Sequence, residues 1–189
     1  MMKRLLLFVP LLLLSCGGIP KNIVPVQGFD IERYVGTWYE IARLDHSFER
    51  GLERVSAQYS LRDDGGINVV NRGFDPKKNK WKEAVGKAYF VSDPHTGRLK
   101  VSFFGPFYGG YNIIDLDETD YSYALVCGPS RSYLWILAQE PHLDESLQSA
   151  LIRRAKALGF ETEKLIYVRH REGNKLPASA HGGRSLSEE

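Results

Sequence analysis

Between residues 37 and 138 the chain is a succession of short segments rich in Val, Ile, Tyr and Phe, each bounded by turn residues. The spacing predicts strands at 37–44, 54–62, 66–73, 81–91, 98–104, 110–116, 121–127 and 133–138, the pattern of an all-β barrel or sandwich. Alternation is plainest in the second strand, where Val55, Ala57, Tyr59 and Leu61 share one face while Arg54, Ser56, Gln58 and Ser60 share the other, which is expected to be wet. Asp63-Asp64-Gly65-Gly66 and Asp93-Pro94-His95-Thr96-Gly97 read as hairpin turns, since Gly admits a positive φ and Pro presets a negative one. The eighth segment, Tyr133-Leu134-Trp135-Ile136-Leu137-Ala138, is apolar on both faces and needs cover outside as well as inside. The cover is close in sequence: over 143–158, Leu147, Leu151, Ala155 and Leu158 recur at spacings of three and four, an amphipathic helix with Gly159 placed as its C-cap. Leu165-Ile166-Tyr167-Val168 then makes a short ninth strand. Strands in meander order followed by a single late helix favour an eight-stranded up-and-down antiparallel barrel with the helix packed outside, because closure removes the edges that an open sheet leaves exposed.

The N-terminus reads differently. Met1-Met2-Lys3-Arg4 precedes an apolar run from Leu5 to Leu14, a charged region followed by a secretory apolar stretch too short to cross a bilayer as a helix. Leu13-Leu14-Ser15-Cys16 resembles a bacterial lipoprotein lipobox. The resemblance implies that residues 1–15 are removed as a signal peptide, that Cys16 becomes an acylated N-terminus, and, from Gly17 where inner-membrane retention would favour Asp, that the address is the outer membrane. Acyl chains on Cys16 would hold the protein stably to that membrane. Residues 16–28 are Gly- and Pro-rich without apolar period and are expected to be a tether, reaching ~40 Å at most. At the other end, 172–189 is polar and rich in Gly and Ser and is expected to be disordered, leaving 29–171 as one domain.

Composition narrows the chemistry. Loss of Lys3 and Arg4 cancels the formal net charge of +2, so no basic excess remains for nucleic acid. With Cys16 acylated, Cys127 has no partner and no structural disulfide is expected. The histidines, at 46, 95, 142, 170 and 181, show no metal-ligand spacing, and Asp63-Asp64 is a turn rather than a catalytic pair, so no metal, cofactor or catalytic residue is expected. Asp45, His46, Glu49 and Arg50 are expected to form a solvated rim.

Gly36-Thr37-Trp38-Tyr39, just after a helical turn over 30–35, resembles the G-x-W motif that opens lipocalin barrels, and Thr119-Asp120-Tyr121 resembles the family's T-D-Y motif in the correct order and spacing. The runs GTWYEIAR (36–43), KVSFFGPFYGGYN (100–112), ALVCGP (124–129) and YLWIL (133–137) resemble the bacterial outer-membrane lipocalins in particular, over about residues 28–170. The resemblance implies that Gly36, Trp38, Thr119, Asp120 and Tyr121 close the base, with the turns at 63–66, 93–97 and 117–120 beside them, and that loops 45–53, 74–80, 104–110 and 128–132 surround an open mouth. One position departs from the family: Gln139 stands where an Arg would stack over the base Trp, so it cannot supply Trp38 with a cation–π contact.

The same resemblance turns Trp135 into the cavity and makes Trp135, Tyr108, Phe90, Phe103 and Tyr111 the expected ligand-binding residues. Ala84, Gly86, Ala88 and Phe90 share a face of the fourth strand, where small side chains would leave volume unfilled if that face points inward. Phe104, Phe107 and Tyr108 sit among Gly105, Pro106, Gly109 and Gly110, either at the entrance or folded over a core edge. The implied function is binding, storage or transport of small hydrophobic ligands, fatty acids or lysophospholipids, with a homodimer left open. The alternative is a lipid-modifying enzyme using Cys127, since in one related enzyme a calyx cysteine is the nucleophile; no cationic partner that would activate Cys127 is evident, which favours an inert thiol.

Overall fold

The computed structural model describes residues 18–170; the expected signal peptide, Cys16 and the 172–189 tail lie outside the described residues. Asp30 caps a single helical turn, α1 (Ile31–Tyr34), by accepting from the Glu32 amide. The chain then enters β1 (Gly36–Arg43) through Gly36, whose φ of 119° suits only glycine. There follow β2 (Glu53–Leu61), β3 (Ile67–Asp75), β4 (Lys80–Phe90), β5 (Arg98–Phe104), β6 (Phe107–Leu116), β7 (Tyr123–Cys127) and β8 (Leu134–Ala138), each antiparallel to its predecessor. Closure falls to β1, which pairs with β2 through Gly36–Tyr39 and with β8 through Tyr39–Arg43, across a register shift between Glu40 and Ala42. Where β2 diverges, β9 (Ile166–Tyr167) takes its place against Ala42 and Arg43. All eight expected strands, the helix α2 (Glu145–Ala157) and the ninth strand are present.

Period-two alternation divides the apolar side chains into two layers separated by the barrel wall. Ala124 and Val126 of β7 and Leu137 of β8 point inward with Trp38, Val69, Leu99 and Ile113. Leu125, Cys127, Leu134, Ile136 and Ala138 point outward and are covered by Leu151, Ala155 and Phe160, so the doubly apolar eighth strand has the outer cover that its pattern requires. Asp144 caps α2 by accepting from the Ser146 and Leu147 amides, which starts the helix where its stripe meets that wall.

Several expectations are corrected here. Residues 18–28 are no free tether: Val26 exchanges backbone hydrogen bonds with Ile113 and Gly97, Ile23 is buried in the outer layer, and the Gly18 carbonyl accepts from Asn112 Nδ2 at 3.3 Å. A side chain at Gly110 would run into that carbonyl. Ser56, placed on the wet face of β2, is buried and borders the cavity, just past a register shift between Glu53 and Ser56 where Arg54 takes φ 53°. Finally, β6 starts at Phe107, with Phe104 opposite it, so the expected loop 104–110 shrinks to a tight turn at Gly105-Pro106.

Candidate functional site

The inward side chains enclose a cavity that opens to solvent at the mouth. Its wall is mostly apolar, with Val55, Ala57, Ile67, Val69, Leu99 and Val101 among the lining residues. An enclosed, largely apolar lining with few polar groups suits a small apolar ligand.

Three tyrosines form the floor. Tyr111 Oη lies 2.7 Å from Tyr34 Oη and 3.0 Å from Tyr59 Oη, so each phenol is hydrogen-bonded although buried. Burial, reinforced by the neighbouring phenols, pushes all three well above the usual tyrosine range and keeps them neutral. Beneath them Trp38 is fully buried, stacked on Tyr34 with ring centroids 4.5 Å apart, and donates from Nε1 to the Tyr34 carbonyl at 2.8 Å.

The remaining motif residues complete this base. Tyr121 is buried and its hydroxyl accepts from the Asp30 amide; Thr119 and Asp120 are exposed in a turn that Asp117 organises by accepting from Thr119 N, Ser122 N and Ser122 Oγ. The Arg33 guanidinium sits 4.1 Å from the centre of the Tyr121 ring and donates to the Glu118 and Thr119 carbonyls. A cation therefore does cover the base, supplied by α1 rather than by position 139.

A polar cluster interrupts the apolar wall near the mouth. Glu40 follows Trp38 on the inward face of β1, and Glu49 folds in from the loop after it; both line the cavity. Arg43, buried behind them, donates to Glu40 Oε1 at 2.5 Å and to the Glu49 carbonyl at 2.9 Å. His46 Nε2 lies 3.1 Å from Glu49 Oε2, and Trp135 Nε1 donates to the same oxygen at 3.2 Å. Burial and the Glu49 carboxylate push the Glu40 carboxyl well above its ordinary range, against the pull of Arg43. Burial works to raise Glu49 as well, but its bonds with His46 and Trp135 outweigh it and the carboxyl is held low. The expected solvated rim is thus half right: Asp45 and Arg50 pair in solvent, whereas His46 and Glu49 are buried.

Of the expected ligand-binding residues, Trp135, Phe103 and Tyr111 line the cavity. Tyr108 does not: one step from Tyr111 in parity, it lies on the outer wall beside Lys100 and Tyr89. Phe90 ends β4 at the base and packs edge-on against Phe29, with centroids 6.2 Å apart, outside the lining set. Of the small residues on β4 only Ala88 borders the cavity, since Ala84 is exposed and the space over Gly86 is taken by Phe103. Sequence reasoning missed Glu40 as a cavity residue, although its two-residue offset from Trp38 placed it on the inward face.

Cys127 faces the outer layer, on the other side of the wall from the cavity. Burial pushes its thiol up to about 12, against the pull of Arg131 and a bond with Asn112. At about pH 8 roughly one thiol in ten thousand is then ionised, so iodoacetamide is expected to leave Cys127 unmodified in the native protein and to alkylate it readily in denaturant. Stoichiometric native labelling would contradict this placement.

A family model described as the lipocalin-like domain matches residues 29–170. The chain is 57% identical over 150 residues to the outer membrane lipoprotein Blc of Citrobacter freundii, covering 79% of this chain and 84% of that one. It is 52% identical over 163 residues to the outer membrane lipoprotein Blc of Vibrio cholerae, covering 86% of this chain and 95% of the other. Among solved structures it is similar to insecticyanin from the tobacco hornworm Manduca sexta, with a TM-score of 0.66 at 20% identity, covering 82% and 88% of the two chains, a likeness of fold alone.

Proposed function

The chain belongs to the lipocalin family, and on that premise we propose that it carries a single-tailed amphiphile, a lysophospholipid in preference to a free fatty acid, while anchored through an acylated Cys16. Binding of small hydrophobic ligands at the outer membrane follows from the family and from its relatives at 52% to 57% identity. The head-group preference rests on one observation: the ionisable groups that border the cavity near the mouth are the carboxyls of Glu40 and Glu49, of which Glu49 is held low, with Ser56 and Asn71 as neutral polar neighbours, while Arg43 is turned behind them and does not border the cavity.

The acyl tail descends along the apolar wall to the tyrosine floor, and the head group stays beside Glu40 and Glu49. The ammonium of a zwitterionic lysophospholipid meets the Glu49 carboxylate there and balances its own phosphate, whereas the carboxylate of a fatty acid meets a like charge. At an effective dielectric near 20 and a separation of about 5–6 Å that repulsion approaches ~3 kcal/mol, reduced by solvent at the open mouth to about 1–2 kcal/mol, or roughly tenfold in affinity. Lipocalins are in general binding and transport proteins, and a ligand in this cavity does not reach Cys127, so the placement of that thiol does not favour the enzymatic alternative.

Calorimetric titration tests the reading. Lysophosphatidylethanolamine is expected to bind roughly tenfold or more tightly than a free fatty acid of the same chain length, and Glu49→Gln to narrow the gap. Equal or tighter binding of the fatty acid by the unaltered protein would overturn the proposed orientation.

A further inference from the structure

The two ends of the barrel differ in what they show to solvent. At the mouth, Phe104 and Phe107 flank the Gly105-Pro106 turn with 81% and 69% of their surface exposed, and Phe48 and Phe103, at the cavity entrance, are 59% and 39% exposed. These rings fold over no core edge. A cluster of exposed aromatics on one rim marks a surface meant for an apolar partner.

Charge separates the ends further. The β3–β4 hairpin at the mouth, residues 75–82, carries Lys77, Lys78, Lys80 and Lys82 against the single acid Asp75, which pairs with Lys82. The three turns at the base carry Asp63, Asp64, Asp93, Asp117, Glu118 and Asp120 against Arg62. An anionic lipid surface would attract the mouth and repel the base.

The path of the N-terminal segment chooses between the ends independently. From Phe29, bonded to the His95 carbonyl at the base, the chain runs back along the outer wall past Val26 and Ile113 to Gly18, which lies against Gly110 and Pro129 at the mouth. The segment that follows Cys16 in the sequence therefore starts, at Gly18, beside the open end.

We propose that the mouth of the barrel docks on the bilayer that holds Cys16, with Phe104 and Phe107 entering the lipid interface and Lys77, Lys78 and Lys80 facing anionic head groups. The calyx then opens onto the membrane, and an amphiphile passes between lipid and cavity without crossing bulk water. Aromatic side chains seated in the interface and basic residues beside acidic lipids are the usual elements of such contacts. The inference rests on the reading of Cys16 as the anchor, and its test is independent of whether the cavity binds lysophospholipid.

Full-length lipidated protein carrying Phe104→Cys, or Leu61→Cys at the base as a control, is labelled with an environment-sensitive fluorophore; native Cys127 is buried and does not compete. After reconstitution into phosphatidylethanolamine vesicles containing phosphatidylglycerol, flotation scores the anchor by itself. The probe at 104 is expected to shift to the blue and to be quenched severalfold more by lipid-borne nitroxide than the probe at 61. Combining Lys77→Glu, Lys78→Glu and Lys80→Glu with the 104 label should reduce that quenching in the acidic vesicles. A probe at 104 that stays in water while the protein floats, or a probe at 61 quenched as strongly, overturns the proposal.

Discussion

Alanine at Trp38 is expected to lower the free energy of unfolding by ~3–5 kcal/mol, the usual cost of deleting a large buried aromatic. The ring is fully buried and stacked on Tyr34, and its loss leaves the Tyr34 carbonyl without the indole donor 2.8 Å away. It also removes the layer under the tyrosine floor, so collapse of the site can recover little of the lost packing. Against a typical total of ~5–15 kcal/mol, the variant would stand near the edge of folding at ambient temperature. Trp81 is the internal comparison: 41% exposed on the outer wall, it packs on Phe74 and under Arg54, and its alanine variant should cost about 1 kcal/mol or less. Denaturant titration of the two variants decides the matter, and equal losses would mean that the base does not close on Trp38.

Shortening the acyl chain of a lysophospholipid from sixteen to ten carbons is expected to weaken binding by roughly three orders of magnitude, since each buried methylene contributes up to ~0.8 kcal/mol, about fourfold in affinity. The dependence belongs to the cavity's shape. Its wall is apolar from Val101 and Leu99 down to Val69, and it ends on the hydroxyls of Tyr34, Tyr59 and Tyr111, which are bonded to one another and offer a tail nothing further to displace. The gain per methylene should therefore stop once the tail reaches that floor. Calorimetry over a series of chain lengths gives both slope and plateau; affinity independent of length would place the ligand outside the barrel.

How far the site was legible differs from residue to residue. Trp135, Phe103 and Tyr111, which the family resemblance assigned to the cavity, line it, and each shares strand parity with other lining residues. Tyr108 does not, because an inward direction depends on where β6 begins. Reading residues 104–110 as a loop left its orientation free, whereas a strand starting at Phe107 turns it outward beside Lys100. Phe90 has the inward parity but lies at the base, a matter of height along the barrel that alternation does not encode. The N-terminal segment was misread because Gly and Pro spoil its period; isolated contacts, Ile23 in the outer layer and Val26 on Ile113, hold it to the wall instead.

By itself the sequence determined the eight strands and their order and the outer helix over the doubly apolar eighth strand, because period-two and period-3.6 patterns and turn residues are local and each is printed along the chain, while the family and the closing roles of Trp38 and Tyr121 came from the resemblance of its G-x-W and T-D-Y motifs. Only the tertiary structure decided that Glu40, Arg43, His46 and Glu49 form one buried cluster at the cavity wall, that Arg33 covers the base where Gln139 cannot, and that Gly18 ends at the mouth. Each of these joins segments brought together by barrel closure, and the burial of a charged side chain depends on partners from other parts of the fold, which no local pattern records.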